Sequence, residues 1–435
     1  MKRRYVVLIA LLISAALCSA QDLPTAPSAD PAATAPASGT AVSAPAQTVP
    51  ATGTAPAASA QPAADSAASL ESAHYIVSSE LGQARAAGLS EEFEALFKLF
   101  SETFRFDPST LQAKLKVREF ATKDAFDAYL QKAAGQKKDD FVYVYYSVPE
   151  RCELLIYPKE GPEAAASLVH QAFVQYLKSF VDNPPLWMRD GFAVYFESAV
   201  WDSSSRVLSF PENLAWLPSV KSLLAKKALL PVSRMLELTP DESRSSINVV
   251  YPESWAFASF LMNTTDKAYS RLLWDSISAL RRDASLTENQ AAIAARTSSW
   301  YVPAEADAAF TSYLGSRKTF SDFITEGAKS YTDKAYDAAR SSFEAAAKIN
   351  TASYIPPYYL GLVAYSTGDH SLADFYYRAA LEKGCDPAVA AYALGLNAFA
   401  AEKYDEAKKY LLDAKSRSPE RYGPKVDGLL ARMSK

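Results

Sequence analysis

Three glycines, Gly327, Gly361 and Gly395, stand 34 residues apart near the end of the chain. Ala339, Ala373 and Ala407 keep the same interval, and so do Ala346, Ala380 and Ala414. Between the two alanines of each copy sits one large apolar residue: Phe343, Tyr377 or Leu411. A period of this length marks a supersecondary unit stacked on copies of itself. The small residues read as the places where two antiparallel helices cross closely, with the glycine on the first helix and the alanines on the second. The large residue then fills the gap toward the next unit. No unit buries its apolar face alone, so three units need a cap. Thr367-Gly368-Asp369 and Glu402-Lys403 read as turns within units, Pro419 closes the third, and Tyr422 to Met433 reads as the capping helix.

These positions resemble the tetratricopeptide repeat over about 320–420, in a domain of 320–435 that adds the capping helix. The resemblance implies an all-α array that presents a concave groove to a partner protein or peptide. Tyr358, Tyr359 and Tyr365 are the candidate partner-binding residues, while packing within the array is the competing role for the same rings. Acidic and basic residues are equal in number from 320 to 435, so no single-sign groove suited to nucleic acid is expected.

The start of the chain has another texture. Lys2, Arg3 and Arg4 precede an apolar run from Tyr5 to Leu17, too short for a bilayer span of about 20 residues. Small residues at Cys18 and Ala20 fit a signal peptide over 1–20 cleaved after Ala20. The alternative is a lipoprotein acylated at Cys18, ahead of an uncleaved anchor; any membrane attachment would be through this N-terminal segment. Either reading places the protein in the periplasm or cell envelope. Residues 21–70 are almost entirely Ala, Pro, Ser and Thr, with no aromatic residue, Lys or Arg. Such a segment buries too little apolar surface to offset its ordering entropy. It reads as a disordered tether.

Residues 71–319 hold all six tryptophans. Strand-like runs come first, at His74 to Ser78, Leu115 to Ala121, Phe141 to Val148 and Cys152 to Tyr157. Ser90 to Phe104 reads as a helix begun by Ser90-Glu91-Glu92, and from Pro162 onward the pattern is almost wholly helical. The expected fold is an α+β domain, a small sheet plus a helical half, followed by the all-α array. Composition excludes several alternatives. The chain has only three histidines (His74, His170, His370) and three cysteines (Cys18, Cys152, Cys385), too few for a cysteine-rich metal module or a disulfide framework. A balance of 45 basic against 49 acidic residues offers no nucleic-acid signature, and 15 glycines give no phosphate-cradling loop.

Three segments in the helical half stand out: Ser167 to Leu177, containing His170-Gln171-Ala172-Phe173-Val174; Trp187-Met188-Arg189-Asp190-Gly191-Phe192-Ala193-Val194-Tyr195; and Tyr251 to Leu261. In order and spacing they resemble the gluzincin metallopeptidases, the peptidase MA-like group. That family carries H-E-x-x-H on one helix and W-L-x-E-G-x-A-x-Y on the next. The resemblance implies a zinc site in which the two histidines and the glutamate of the second segment are ligands. Here His170 matches the first ligand, Gln171 stands at the general base, Val174 at the second histidine and Asp190 at the third ligand. A neutral amide cannot take a proton from water as a carboxylate does, and valine has no lone pair to give. The expectation is a non-enzyme without cofactor, in which His170 and Asp190 form a hydrogen-bonded pair between the two helices. The competing expectation is a metal-dependent peptidase with an atypical site around His170 and Asp190. Glu197, Asp202 and Glu253 are further carboxylates of the same half, as surface groups or remnants of a cleft.

Overall fold

The computed structural model describes residues 49–50 and 67–433. Cys18, Ala20 and most of the expected tether lie outside the described residues. The described chain forms two compact units, one through Phe310 and the other from Thr311; the boundary expected from sequence was at 319/320.

The first unit carries a six-stranded mixed sheet in the order β1-β5-β6-β4-β3-β2. The strands are β1 (Val49–Pro50), β2 (Ala68–Glu71), β3 (Tyr75–Ser79), β4 (Leu115–Glu119), β5 (Val142–Tyr145) and β6 (Glu153–Ile156). The last four coincide with the strand-like runs of the sequence. β2, antiparallel to β3, straddles the expected tether boundary, and Val49–Pro50 pairs in parallel with Val144 and Tyr145 of β5. In β3 and β4 burial alternates, as it does where one face meets the core. β6 is buried at all four residues, as befits a strand with neighbours on both sides.

The connecting helices α1 (Gln83–Phe104) and α2 (Lys123–Ala134) precede α3 (Pro162–Phe180) and α4 (Leu186–Phe196). The α1 helix starts before the serine expected to open it: Ser90 is buried within it, and Gly82, at φ 98°, precedes the first turn. Ala86 and Leu89 extend the buried stripe back toward that end and outweigh the local capping signal. Phe100 and Phe104 of α1 meet Phe173 of α3 at ring separations of 5.3 Å, and Phe104 lies 5.0 Å from Phe192 of α4. This aromatic layer is the core on which α3 and α4 are fixed.

The region read as almost wholly helical contains a hairpin, β7 (Val200–Asp202) with β8 (Val207–Ser209). The Asp202 carboxylate accepts from Ser204 N at 2.9 Å and from Ser205 Oγ at 2.6 Å, which shapes the turn. Asp202 is thus an exposed turn residue rather than part of a cleft. Helices α5 (Leu217–Ala225), α6 (Val232–Leu236), α7 (Pro240–Ser245), α8 (Ile247–Asn263), α9 (Lys267–Ala279), α10 (Leu286–Thr297) and α11 (Pro303–Ser316) complete the run. At the crossing of α4 and α8 a Cβ on Gly191 would lie 2.2 Å from the Ser254 carbonyl oxygen. Only glycine permits that approach.

The second unit is a series of helix pairs: α12 (Phe320–Thr332) with α13 (Tyr336–Ile349), α14 (Ile355–Ser366) with α15 (His370–Glu382), and α16 (Pro387–Ala400) with α17 (Tyr404–Arg417). The periodic glycines lie on the first helix of each pair and the alanines on the second. A Cβ at Gly327, Gly361 or Gly395 would meet Phe343, Tyr377 or Leu411 within 2.8 Å. The large residue therefore packs over its own unit's glycine. It also reaches the next unit: Phe343 stacks on Tyr359 at 4.7 Å. α18 (Pro419–Met433) covers the end, with Tyr422 and Val426 packed in one cluster with Leu411 and Ala414. Among the described residues no helix is long and apolar enough to cross a membrane.

Candidate functional site

The α3 helix has a stripe that faces α4 and α8, and its polar members are where the motif residues lie. His170 is buried, and its Nδ1 is 2.7 Å from Glu197 Oε1 at the end of α4. The Tyr251 hydroxyl of α8 is 3.4 Å from the same nitrogen. Burial pushes the Glu197 carboxyl above the usual carboxylate range, and the His170 contact draws it partly back. Burial also raises the Tyr251 hydroxyl far above its ordinary value, with the Glu197 and Asp190 charges adding to it.

The expected pair of His170 with Asp190 does not form. Asp190 is clamped by its neighbour: Arg189 Nε donates to Oδ1 at 2.7 Å and Nη2 to Oδ2 at 3.1 Å. The physical reason is local. In a buried, almost wholly apolar helix, an adjacent guanidinium is the strongest partner a carboxylate can find, and the bidentate fork uses both oxygens. Glu197, two turns further on, is left to meet the imidazole. Gln171 turns to the sheet, where its Oε1 accepts from Tyr143 N of β5 at 3.2 Å. Val174 is buried apolar core.

A three-ligand catalytic zinc needs three free donors. The motif positions present one imidazole with Nδ1 on Glu197 and only Nε2 left to give, one amide spent on β5, one valine and one carboxylate spent on Arg189. These residues do not fit that ion. Among the described residues no group of three or more His, Cys, Asp or Glu side chains is arranged to hold a metal. The other histidines are placed elsewhere. His74 Nδ1 is 2.7 Å from Glu94 Oε2 and its ring stacks on Phe97; His370, the first residue of α15, lies 3.0 Å from Asn397 Oδ1. Cys152 and Cys385 are buried free thiols.

Glu253, next to Ser254 at the α4–α8 crossing, is buried; its Oε2 accepts from Leu230 N at 3.1 Å and its Oε1 has no partner. Burial raises this carboxyl to about 8. In the second unit Tyr358, Tyr359 and Tyr365 are all half-buried. Tyr359 stacks on Phe343, Tyr358 lies 5.9 Å from Tyr377, and Tyr365 packs with Ala364 and Tyr377.

Sequence reasoning missed the role of Arg189 and the His170–Glu197 contact. Both left a trace. Arg189 and Asp190 are adjacent opposite charges in an otherwise apolar helix, and Glu197 follows Asp190 by seven residues, two helical turns. Comparison with models of known protein families and with curated proteins finds no match.

Proposed function

We propose that this chain is an exported, non-catalytic envelope protein. Its first unit is a gluzincin-like domain without a metal, and its second is an array of three tetratricopeptide repeats that holds a partner protein or peptide. The observation that carries the reading is the engagement of every polar motif side chain within the protein. His170 is held on Glu197, Gln171 on the β5 backbone and Asp190 on Arg189. Hydrolysis of a peptide needs an activated water, and the four motif positions His170, Gln171, Val174 and Asp190 supply neither a free carboxylate base nor three metal donors to activate one.

Holding an extended peptide needs neither. The outer edge of β5 accepts backbone, since Val49–Pro50 pairs there in parallel, and strand addition of this kind binds through main-chain hydrogen bonds. The repeat assignment is supported by the three glycine contacts with Phe343, Tyr377 and Leu411, and stacked units of this sort form an extended concave binding surface. Metal analysis of the purified full chain tests the reading, together with incubation against an unstructured protein such as casein. The expected result is well under one zinc per chain and no cleavage that a chelator suppresses. One tightly held zinc per chain, lost in His170→Ala together with chelator-sensitive cleavage, overturns the proposal in favour of an atypical peptidase.

A further inference from the structure

A small cleft of about 50 Å³ opens between the end of α3 and the sheet, away from the His170 cluster. That is room for a few waters or for the polar end of a ligand, whose remainder would lie along the cleft's open side. Its wall is aromatic, with Tyr143, Tyr145 and Tyr146 from β5 and the residue after it. Its polar groups come from α3 and from Arg282.

Two of these groups are incompletely satisfied. Gln175 has no exposed surface; its Nε2 donates to Lys116 O at 2.8 Å, but its Oε1 is buried without a partner. An acceptor stranded in this way destabilises the empty protein until a donor arrives. Lys178, one turn further along α3, lies over the Tyr145 ring at 4.0 Å and donates to Asp182 O at 2.5 Å. Burial, with the nearby Arg189 charge, lowers this ammonium to about 8, so an anion beside it would be welcome. Arg282 is held in place by Ser179 O and Thr110 O, each at 2.6 Å. Lys114 at the rim is already paired with Glu71. Lys178 and Arg282 therefore face the single carboxylate of Asp182, and the cleft is left net positive.

Residues three apart on a helix lie side by side, with Cβ atoms about 5–6 Å apart. A ligand that satisfies Gln175 and Lys178 together must carry an N–H donor and an anion within a few bonds of each other, attached to an apolar body that suits the tyrosines. The geometry points to a binding site for an α-carboxylate with its adjacent N–H and an apolar side chain, the chemistry shared by a peptide C-terminus and a free apolar amino acid. Gln175 accepts from the N–H, Lys178 and Arg282 receive the carboxylate, and the tyrosines receive the side chain. Sulfate satisfies the cations but brings no donor to Gln175, and phosphate brings an O–H donor but no apolar body for the tyrosines.

Titration of the full chain by ligand-observed NMR tests the site with five probes: N-acetyl-L-leucine, free L-leucine, 4-methylpentanoate (no N–H), N-acetyl-L-leucinamide (no carboxylate) and inorganic phosphate. The expected order puts one of the first two ahead of the last three by about tenfold. N-acetyl-L-leucine in front assigns a peptide C-terminus, and free leucine in front assigns the amino acid. In Gln175→Met the advantage over 4-methylpentanoate should disappear, and in Lys178→Met the advantage over the leucinamide should disappear. The proposal is overturned if no probe binds at millimolar concentration, if phosphate binds as tightly as the first two, or if both folded variants keep the wild-type order. The five-probe comparison on the unaltered protein decides the matter where a variant does not fold.

Discussion

Glu253 has one oxygen on the Leu230 amide and the other facing no partner, in a site that excludes water. Its carboxyl, raised from 4.5 to about 8 by burial, holds its proton more tightly in the folded chain than in the unfolded one. Its contribution is therefore complete below pH about 4.5 and is lost as pH climbs toward 8. Glu253→Gln keeps the shape without the titration. We expect the variant to match the parent near pH 4.5 and to exceed it by several kcal/mol, at most about 5, at pH 9, read from urea unfolding at both pH values. A constant difference between the two proteins across that range would refute the assignment. Arg189 and Asp190 pose the opposite case, a buried pair whose members need each other. Arg189→Met strands the Asp190 carboxylate and should cost about 3 kcal/mol, most of which Arg189→Met/Asp190→Leu should restore. If the single and double variants unfold at the same urea concentration, the pair is not what stabilises this helix.

Between elements, the decisive contacts are those where only glycine fits, and they differ in what they press against. Alanine is favoured over glycine inside a helix by about 1 kcal/mol, so any loss on Gly→Ala measures the crossing itself. At Gly191 the new methyl meets the Ser254 carbonyl, backbone that cannot yield without parting α4 from α8. We expect Gly191→Ala to lose about 3 kcal/mol or more, with no side-chain change able to rescue it. At Gly361 the methyl meets the Tyr377 ring, a side chain that can be cut back. Gly361→Ala should cost about 1–3 kcal/mol, and in Gly361→Ala/Tyr377→Ala the two losses should fall well short of additive in a double-mutant cycle. Strict additivity would mean that the ring and the glycine do not oppose each other. This contrast also shows what was readable in advance. The repeat glycines were legible because the same volume rule recurs at Gly327, Gly361 and Gly395, whereas the Gly191 contact occurs once and needs α8, some sixty residues on, to be seen. Likewise the runs that became β3 to β6 announced themselves by residue type, but the pairing of β4 with β6 across β5's return is set by long-range packing that no local pattern encodes. The motif positions His170 and Asp190 were found by spacing. Their partners were not, because hydrogen-bond choice in a buried cluster depends on which charge lies nearest, and Arg189 is one residue away.

For the whole molecule, the two units differ in how stability is distributed. The first relies on one aromatic core that draws on α1, α3 and α4 together, so it should respond to damage as a single body. The second is a line of neighbours, Phe343 against Tyr359, Tyr358 against Tyr377, then Leu411 with Tyr422 and Val426, and each contact is short in sequence. A line of this kind carries its stability in adjacent interfaces and ends where a cap closes it. Residues 318–435 expressed alone should therefore fold as a helical, cooperatively melting fragment. Residues 318–417 lack α18 and expose Leu411, Ala414, Ala388 and Ala391, the apolar surface that Tyr422 and Val426 would cover. Losing that burial amounts to a few kcal/mol, which for a fragment of this size should lower the melting temperature by about 10 °C. Circular dichroism melts of the two fragments check this. Equal melting temperatures would mean that α18 is an appendage rather than a cap, and that the last helix pair stabilises its own open face.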